Sequence, residues 1–266
     1  ILVRTGKATA GTSGDINVRS GASTNGKGGG ILLAVGTGDT GDGGDIVLVG
    51  GASTANSKKG GKVTITGGIG ASPNTINGGD GGTVEIVGGE ARGSHNSDFG
   101  GDVVAIGGAS YAGQGGGIRV STGKSALTSS GDILMKSSNA GRAGVSGNIA
   151  LRTGTSSFGN TGYVSVATGD ATAGKAGYVS IYVGRGNVGD GGHIAVSAGK
   201  TTDQASGGYI SMTSGYGEKT SSGSFSLRTA NSGAAGVSGR LTLDSGTASY
   251  GTTGMIALGT GRSTSG

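Results

Sequence analysis

The segment YVSVATGDATAGKAG, residues 163–177, is one complete copy of a unit that recurs along the whole chain. It begins with a short run in which Val164 and Val166 point to one side and their neighbours point to the other. Alternation with a period of two is typical of a β-strand that buries one face. The rest of the unit consists of small residues and glycines, and the next unit starts at once with Tyr178.

The same run starts again roughly every fifteen or sixteen positions over most of the chain, giving about 17 repeats. Their shared pattern is G-x-[IV]-x-[LVI]-x-[TS]-G, a variable tetrapeptide, and then G-x-x-G. A fixed period of this kind is typical of solenoids, in which each repeat packs mainly on its neighbours. The pattern therefore predicts an all-β fold, a parallel β-solenoid, with glycines at corners that need positive φ or a close backbone approach.

Sequence similarity between distant repeats, which we call an echo, favours one coil geometry. Residues 138–147 resemble residues 230–239, six repeats away, and residues 35–44 resemble residues 183–192, nine repeats away. Three repeats per coil, about 46 residues, would place every echo on one face and are favoured over one repeat per coil. Duplication of the gene in blocks of three repeats would leave the same echo.

The repeats predict a single continuous solenoid over residues 1–266, with longer loops in the repeats at 45–101. The first residues already lie in a run and the last lie in a loop, so we expect a segment of a longer repeat protein or filament. Runs near residues 31–49 and 84–106 are apolar on both faces. Either loops or a neighbouring molecule would cover such a second face, unless it is simply a modestly apolar surface.

Composition excludes several classes. Glycine accounts for 66 of 266 residues, against roughly 7% in an average protein, but the single proline excludes collagen. There is no cysteine, hence neither disulfides nor thiolate metal sites. The 20 basic and 15 acidic residues are interspersed without aromatic interleaving, which predicts no nucleic-acid partner. No apolar run is long enough to predict a membrane span.

Asp39, Asp42 and Asp45 are weak candidates for calcium ligands. Short Asp-Gly loops can supply the hard oxygens that calcium prefers, and residues 39–45 resemble the loops of calcium β-rolls. Those rolls have a nine-residue period, however, whereas the repeat of this chain is much longer. Aspartate in an ordinary turn is the alternative explanation, so no cofactor is expected.

No constellation of residues predicts catalysis. His95 lies in a long loop and His193 takes an outward position at the start of a run. Serine is too frequent to mark a nucleophile, and the glycine strings lack the β-α context of a nucleotide site. We therefore expect that the protein is not an enzyme. Rows of outward serine and threonine, as at Ser165 and Ser180, leave an ice-binding face as an alternative, although Arg152 and Asp244 interrupt such rows.

The unit GNIALRTGTSSFGNTG, residues 147–162, resembles the glycine-rich repeat arrays of secreted proteins of microalgae and other protists. More distantly it is similar to the solenoid shafts of secreted bacterial adhesins. The resemblance implies an extracellular or cell-surface structural protein, a fibre, appendage or adhesive matrix. Its expected partners are copies of itself, with polysaccharide or a cell surface as further candidates. A surface-binding module, either an adhesin shaft or an ice-binding solenoid, is the alternative.

Overall fold

The computed structural model describes residues 1–74 and 76–263. Within these residues there is neither an α-helix nor a β-strand, and the chain alternates extended runs with turns and bends. The predicted all-β fold, a parallel β-solenoid of about 17 repeats with three repeats per coil, is therefore wrong. The described part of the chain also contains no helix long and apolar enough to cross a membrane.

The apolar residues of the runs do not form a core. None of the described hydrophobic residues is buried. The first apolar residue of each run is about half-exposed, from 46% at Val84 to 62% at Phe225. The second is more exposed in nearly every run and reaches 90% at Leu258. The sixteen first positions are Ile16, Ile31, Ile46, Val63, Val84, Val103, Ile118, Ile133, Ile149, Val164, Val179, Ile194, Ile210, Phe225, Leu241 and Ile256.

The total accessible surface agrees with this picture. The chain exposes 27325 Å². A compact monomer of 25.0 kDa would expose about 10,000 Å² and a fully extended one about 36,000 Å². The isolated chain thus keeps most of its apolar surface in contact with solvent.

The solenoid prediction was wrong because alternation indicates only that one face of a run must be covered. It does not indicate which other run, if any, forms backbone hydrogen bonds with that run. The described backbone hydrogen bonds link residues within one loop, and none joins the interiors of two runs. Each repeat has two large apolar side chains, and their burial would have to compensate for the entropy lost when a whole glycine-rich unit becomes ordered. Glycine loses more conformational freedom on folding than any other residue. Loops do not cover the second apolar face of the early runs either, since Val47 and Val104 are exposed; cover by a neighbouring molecule stays a prediction.

The regular feature of the structure is the closure of each loop. The residue that ends a run lies against the glycine that precedes the next run, which we call the closing glycine. A Cβ atom built on Gly14 would lie 3.6 Å from Thr5 Cγ2, and one on Gly44 would lie 2.8 Å from Val35 Cγ1. The closing glycines of the described loops are Gly14, Gly29, Gly44, Gly61, Gly82, Gly101, Gly116, Gly131, Gly147, Gly162, Gly177, Gly192, Gly208, Gly223, Gly239 and Gly254.

Four consecutive loops are closed more tightly, by two glycines on each side, and we call these closures diglycine clamps. In the loop 88–101, the closing Gly101 donates its N–H to the carbonyl oxygen of Gly89 over 2.8 Å. A Cβ atom on Gly88 would overlap the Gly101 carbonyl oxygen, so the backbones approach too closely for any side chain. The other three clamps close the loops 50–61, 67–82 and 107–116, with N–H···O distances of 2.7, 2.8 and 2.8 Å.

A second glycine of the repeat has its own conformational role. Among the described residues, five glycines have positive φ, and each lies three residues before a closing glycine; Gly41, for example, has φ 81°. The left-handed conformation is accessible to glycine at no steric cost. The G-x-x-G end of the repeat therefore combines a left-handed turn with a close approach.

The chain divides into two compact units, Ile1–Met135 and Lys136–Gly266. The first unit contains all four diglycine clamps and the three longest loops, which fall within the repeats at 45–101. Loops of the second unit close on a Ser, Thr, Val or Ala side chain, as at Thr153 opposite Gly162.

The clamp predicts different outcomes for two adjacent glycines. Gly88→Ala should open the loop because its methyl group overlaps Gly101, whereas Gly89→Ala should be tolerated because a Cβ there meets nothing within 4 Å. The loss of one backbone hydrogen bond should speed amide exchange of Gly101 roughly two- to tenfold in the first variant. Amide exchange measured by NMR decides, and equal rates in both variants would contradict the clamp.

The absence of a core in the described residues predicts a thermal property of the dilute chain. Cooperative unfolding with a large heat-capacity change requires apolar surface that becomes exposed on heating. Since that surface is already exposed, scanning calorimetry at low protein concentration should show no cooperative endotherm. A sharp transition whose midpoint does not depend on protein concentration would refute this account.

Candidate functional site

The concavities of the surface are shallow and belong to single loops. One, of about 700 Å³, is formed by the loop of residues 4–13, whose charged side chains are Arg4 and Lys7. Another, of about 320 Å³, is lined by Arg228, Thr229, Ala230 and Asn231. Each concavity is lined by basic side chains but by no carboxylate or imidazole, so neither contains the pair of groups that acid–base catalysis requires.

The three candidate calcium ligands lie in and just after one exposed turn. Thr40 Oγ1 donates to Asp39 Oδ1 at 3.5 Å, and Gly41 adopts the left-handed conformation that reverses the chain. The described residues contain no group of three or more His, Asp or Glu side chains that could hold a metal ion. Asp39, Asp42 and Asp45 are therefore not gathered into a ligand set, and the geometry agrees with the alternative explanation, aspartate in a turn.

The most organised polar cluster is the turn at residues 95–98. Asp98 Oδ2 accepts the N–H of His95 at 3.0 Å, and the N–H of Asp98 donates back to the His95 carbonyl oxygen at 3.0 Å. The Ser97 hydroxyl lies 2.6 Å from His95 Nδ1, and the Ser97 N–H donates to the same nitrogen at 3.3 Å. A Cβ atom on Gly93 would overlap the Asp98 carboxylate, so the absence of a side chain at Gly93 leaves the space that the carboxylate occupies.

This cluster has the residue types of a catalytic triad but not its connections. In a triad the carboxylate orients the imidazole, whereas Asp98 here accepts from a main-chain N–H. All three side chains are exposed, and none of them lines either of the two concavities described above. The arrangement stabilises a turn. His193 is exposed at the start of its run, far along the chain from this cluster.

A second turn, at residues 55–58, has the same N–H···O hydrogen bond as the turn at 95–98, but a different conformation at its central serine, since Ser57 has positive φ and Ser97 does not. In the loop 50–61, the N–H of Lys58 donates to the Ala55 carbonyl oxygen at 3.4 Å, and Ser57 has φ 59°. Both turns contain Asn-Ser at their centre, as Asn56-Ser57 and Asn96-Ser97. The sequence analysis did not identify these two turns, although in both segments an Asn-Ser dipeptide lies between two Gly-Gly pairs.

The outward hydroxyl rows do not form a flat face. Serine and threonine at these positions lie on separate extended runs, which do not pair into a sheet among the described residues. An ice-binding face requires neighbouring rows at fixed spacing, so the ice-binding alternative loses the scaffold on which it depended.

Comparison with protein-family models, with curated proteins and with solved structures finds no match for this chain. The function must therefore be argued from its residues alone.

The turn at 95–98 makes a prediction about its acceptor. Asp98→Ala removes the oxygen that accepts the His95 N–H, whereas Asp98→Asn keeps an acceptor of the same shape. Amide exchange at His95 should rise roughly two- to tenfold in the alanine variant and change little in the asparagine variant. Exchange rates measured by NMR test this, with Asp170→Ala as the control. Equal protection in the alanine and asparagine variants would show that the carboxylate does not hold the turn.

Proposed function

We propose that the protein is a structural component of an extracellular fibre, appendage or adhesive matrix, that it assembles from copies of itself, and that it performs no catalysis. The observation that supports this proposal is the half-exposure of the first apolar residue in each of the sixteen runs that follow the first. These sixteen positions recur at nearly constant spacing, and none of them is buried within the chain.

The exposed apolar surface favours association. Soluble monomers rarely expose contiguous apolar patches larger than a few hundred Å². A surface of 27325 Å² on a chain of this size leaves far more to bury than one standard interface of about 1,600 Å² requires. Association along many repeats would remove much of this surface from water.

A second copy is the partner that matches best, because its apolar positions recur with the same spacing. One pair of runs in contact places the following pairs in register as well. The longer loops and the variable tetrapeptides, rich in serine and threonine, would then lie at the surface of the assembly. They would set lateral contacts and any contact with polysaccharide or a cell surface.

An extracellular location is supported by composition and by the resemblance to secreted repeat arrays. The chain lacks cysteine and has interspersed charges, and its loops carry many hydroxyl groups. These features suit a hydrated matrix in which strength comes from repeated weak contacts rather than from disulfides.

The test is assembly of the purified chain as a function of concentration. Sedimentation velocity and electron microscopy should show a dilute monomer converting into elongated assemblies as concentration rises, unchanged by a metal chelator. A chain that stays monomeric at every concentration would overturn the proposal. Saturable glycan binding by such a monomer would favour the surface-binding alternative.

A further inference from the structure

Two loop stems of the first unit have matching sequence patterns, equivalent backbone hydrogen bonds and opposite charges. Residues 56–63 read NSKKGGKV, and residues 96–103 read NSDFGGDV. Each combines the Asn-Ser turn with a diglycine clamp, and the clamp hydrogen bonds measure 2.7 Å at Gly61 and 2.8 Å at Gly101. Lys58 therefore occupies the position of Asp98, and Lys62 that of Asp102. We call these two segments the basic stem, residues 56–63, and the acidic stem, residues 96–103.

None of the four stem charges forms an ion pair within the described residues, although Asp98 Oδ2 accepts the N–H of His95. Lys58, Lys62, Asp98 and Asp102 are all exposed. The one ion pair among the described residues joins Arg92 Nε to Glu90 Oε2 at 2.9 Å, which involves neither stem. The surroundings reinforce the contrast, because residues 63–118 carry five carboxylates and one arginine in a chain with 20 basic and 15 acidic residues.

We propose that the basic stem of one copy binds the acidic stem of a second copy, in a parallel arrangement staggered by the distance along the chain between the two stems. This inference rests on the proposed self-assembly and adds its register. The stagger pairs Lys58 with Asp98 and Lys62 with Asp102 at once, because the two charged residues are four positions apart in each stem.

Two registers satisfy both charges of a stem. The parallel stagger pairs Lys58 with Asp98 and Lys62 with Asp102, and an antiparallel arrangement pairs Lys58 with Asp102 and Lys62 with Asp98. The antiparallel arrangement uses both stems of both copies at once and therefore closes into a dimer. The parallel stagger leaves one stem of each copy free for a further copy, so it is the register that fits the proposed fibre. Without a stagger, Lys58 would face Lys58 and Asp98 would face Asp98, and like charges across an interface suppress that pairing.

The apolar runs that follow the stems supply contact area for this pairing. They begin with Val63 and Val103, which are 51% and 59% exposed. Exposed ion pairs set register and partner choice more than they add affinity, so the charges select the alignment and the apolar residues hold it. The contact is heterologous and does not close on itself, which extends the assembly into a filament.

Zero-length crosslinking tests the pairing directly. The full chain is prepared with ¹⁴N and with ¹⁵N, mixed, assembled and treated with a carbodiimide that joins lysine to carboxylate. Mass spectrometry should find Lys58–Asp98 and Lys62–Asp102 crosslinks that carry both labels. Crosslinks confined to one label would place the contact within the chain and overturn the inference. Lys58–Asp102 and Lys62–Asp98 crosslinks in their place would indicate the antiparallel, closed dimer and also overturn the inference.

Charge exchange gives a second test in solution. Lys58→Asp with Lys62→Asp should raise the concentration needed for assembly about tenfold or more in low salt, because it brings like charges together. Lys175→Asp with Lys200→Asp, a matched control in the second unit, should change it less than about twofold. Lys62→Asp with Asp102→Lys restores one pair of opposite charges at the original net charge and keeps the acceptor of the turn, Asp98, so it should assemble at a lower concentration than Lys62→Asp alone.

The outcomes separate the inference from the proposed function. If the wild-type chain never assembles, both are wrong. If it assembles but the stem variant and its control behave alike, or Lys62→Asp with Asp102→Lys assembles no better than Lys62→Asp alone, the stems do not set the register and only the inference falls.

Discussion

Close contact between the end of one run and the glycine before the next is the interaction on which this structure depends. Among the described residues it closes sixteen loops, and the least exposed positions of the chain, such as Gly50, Gly88 and Ser137, lie at these closures. A glycine is needed because the neighbouring atoms occupy the space that a side chain would take. Where the opposite residue is also glycine, the backbones approach more closely, and the hydrogen bond between Gly101 and Gly89 is 2.8 Å. Three loops that close on a side chain form the equivalent hydrogen bond at 2.9–3.2 Å, as between Gly208 and Gly199.

The sequence predicted the local parts of this arrangement better than the global ones. The period of the repeat and the glycines at chain reversals followed from spacing, and Gly41 has the positive φ expected of a reversal. The sheet did not follow, because alternation at Val164 and Val166 carries no information about which backbone lies beside it. The Asn-Ser turns were missed because each depends on a few polar atoms, such as Asp98 Oδ2, that composition and periodicity do not reveal.

A repeat with a defined loop but no core has a direct physical consequence. Closing a loop restricts the chain locally and leaves its apolar residues exposed, so each repeat presents Val or Ile at the same place relative to its neighbours. The free energy of burying these residues remains available for contacts between chains. Glycine-rich loops keep those contacts adaptable, because small residues allow the backbones of two chains to approach closely.

A periodic apolar surface is by itself a poor guide to register. Two identical chains can align at any whole number of repeats and bury nearly the same area, so hydrophobic contact alone would give many alignments of similar free energy. The longer repeats at 45–101 break this degeneracy, since a shift by one repeat there no longer superimposes the loops. Charges placed on equivalent positions of two such loops break it further, because a misaligned copy meets either like charges or none. Irregular loops in an otherwise regular chain thus specify the register between two copies, which the periodic apolar residues do not specify.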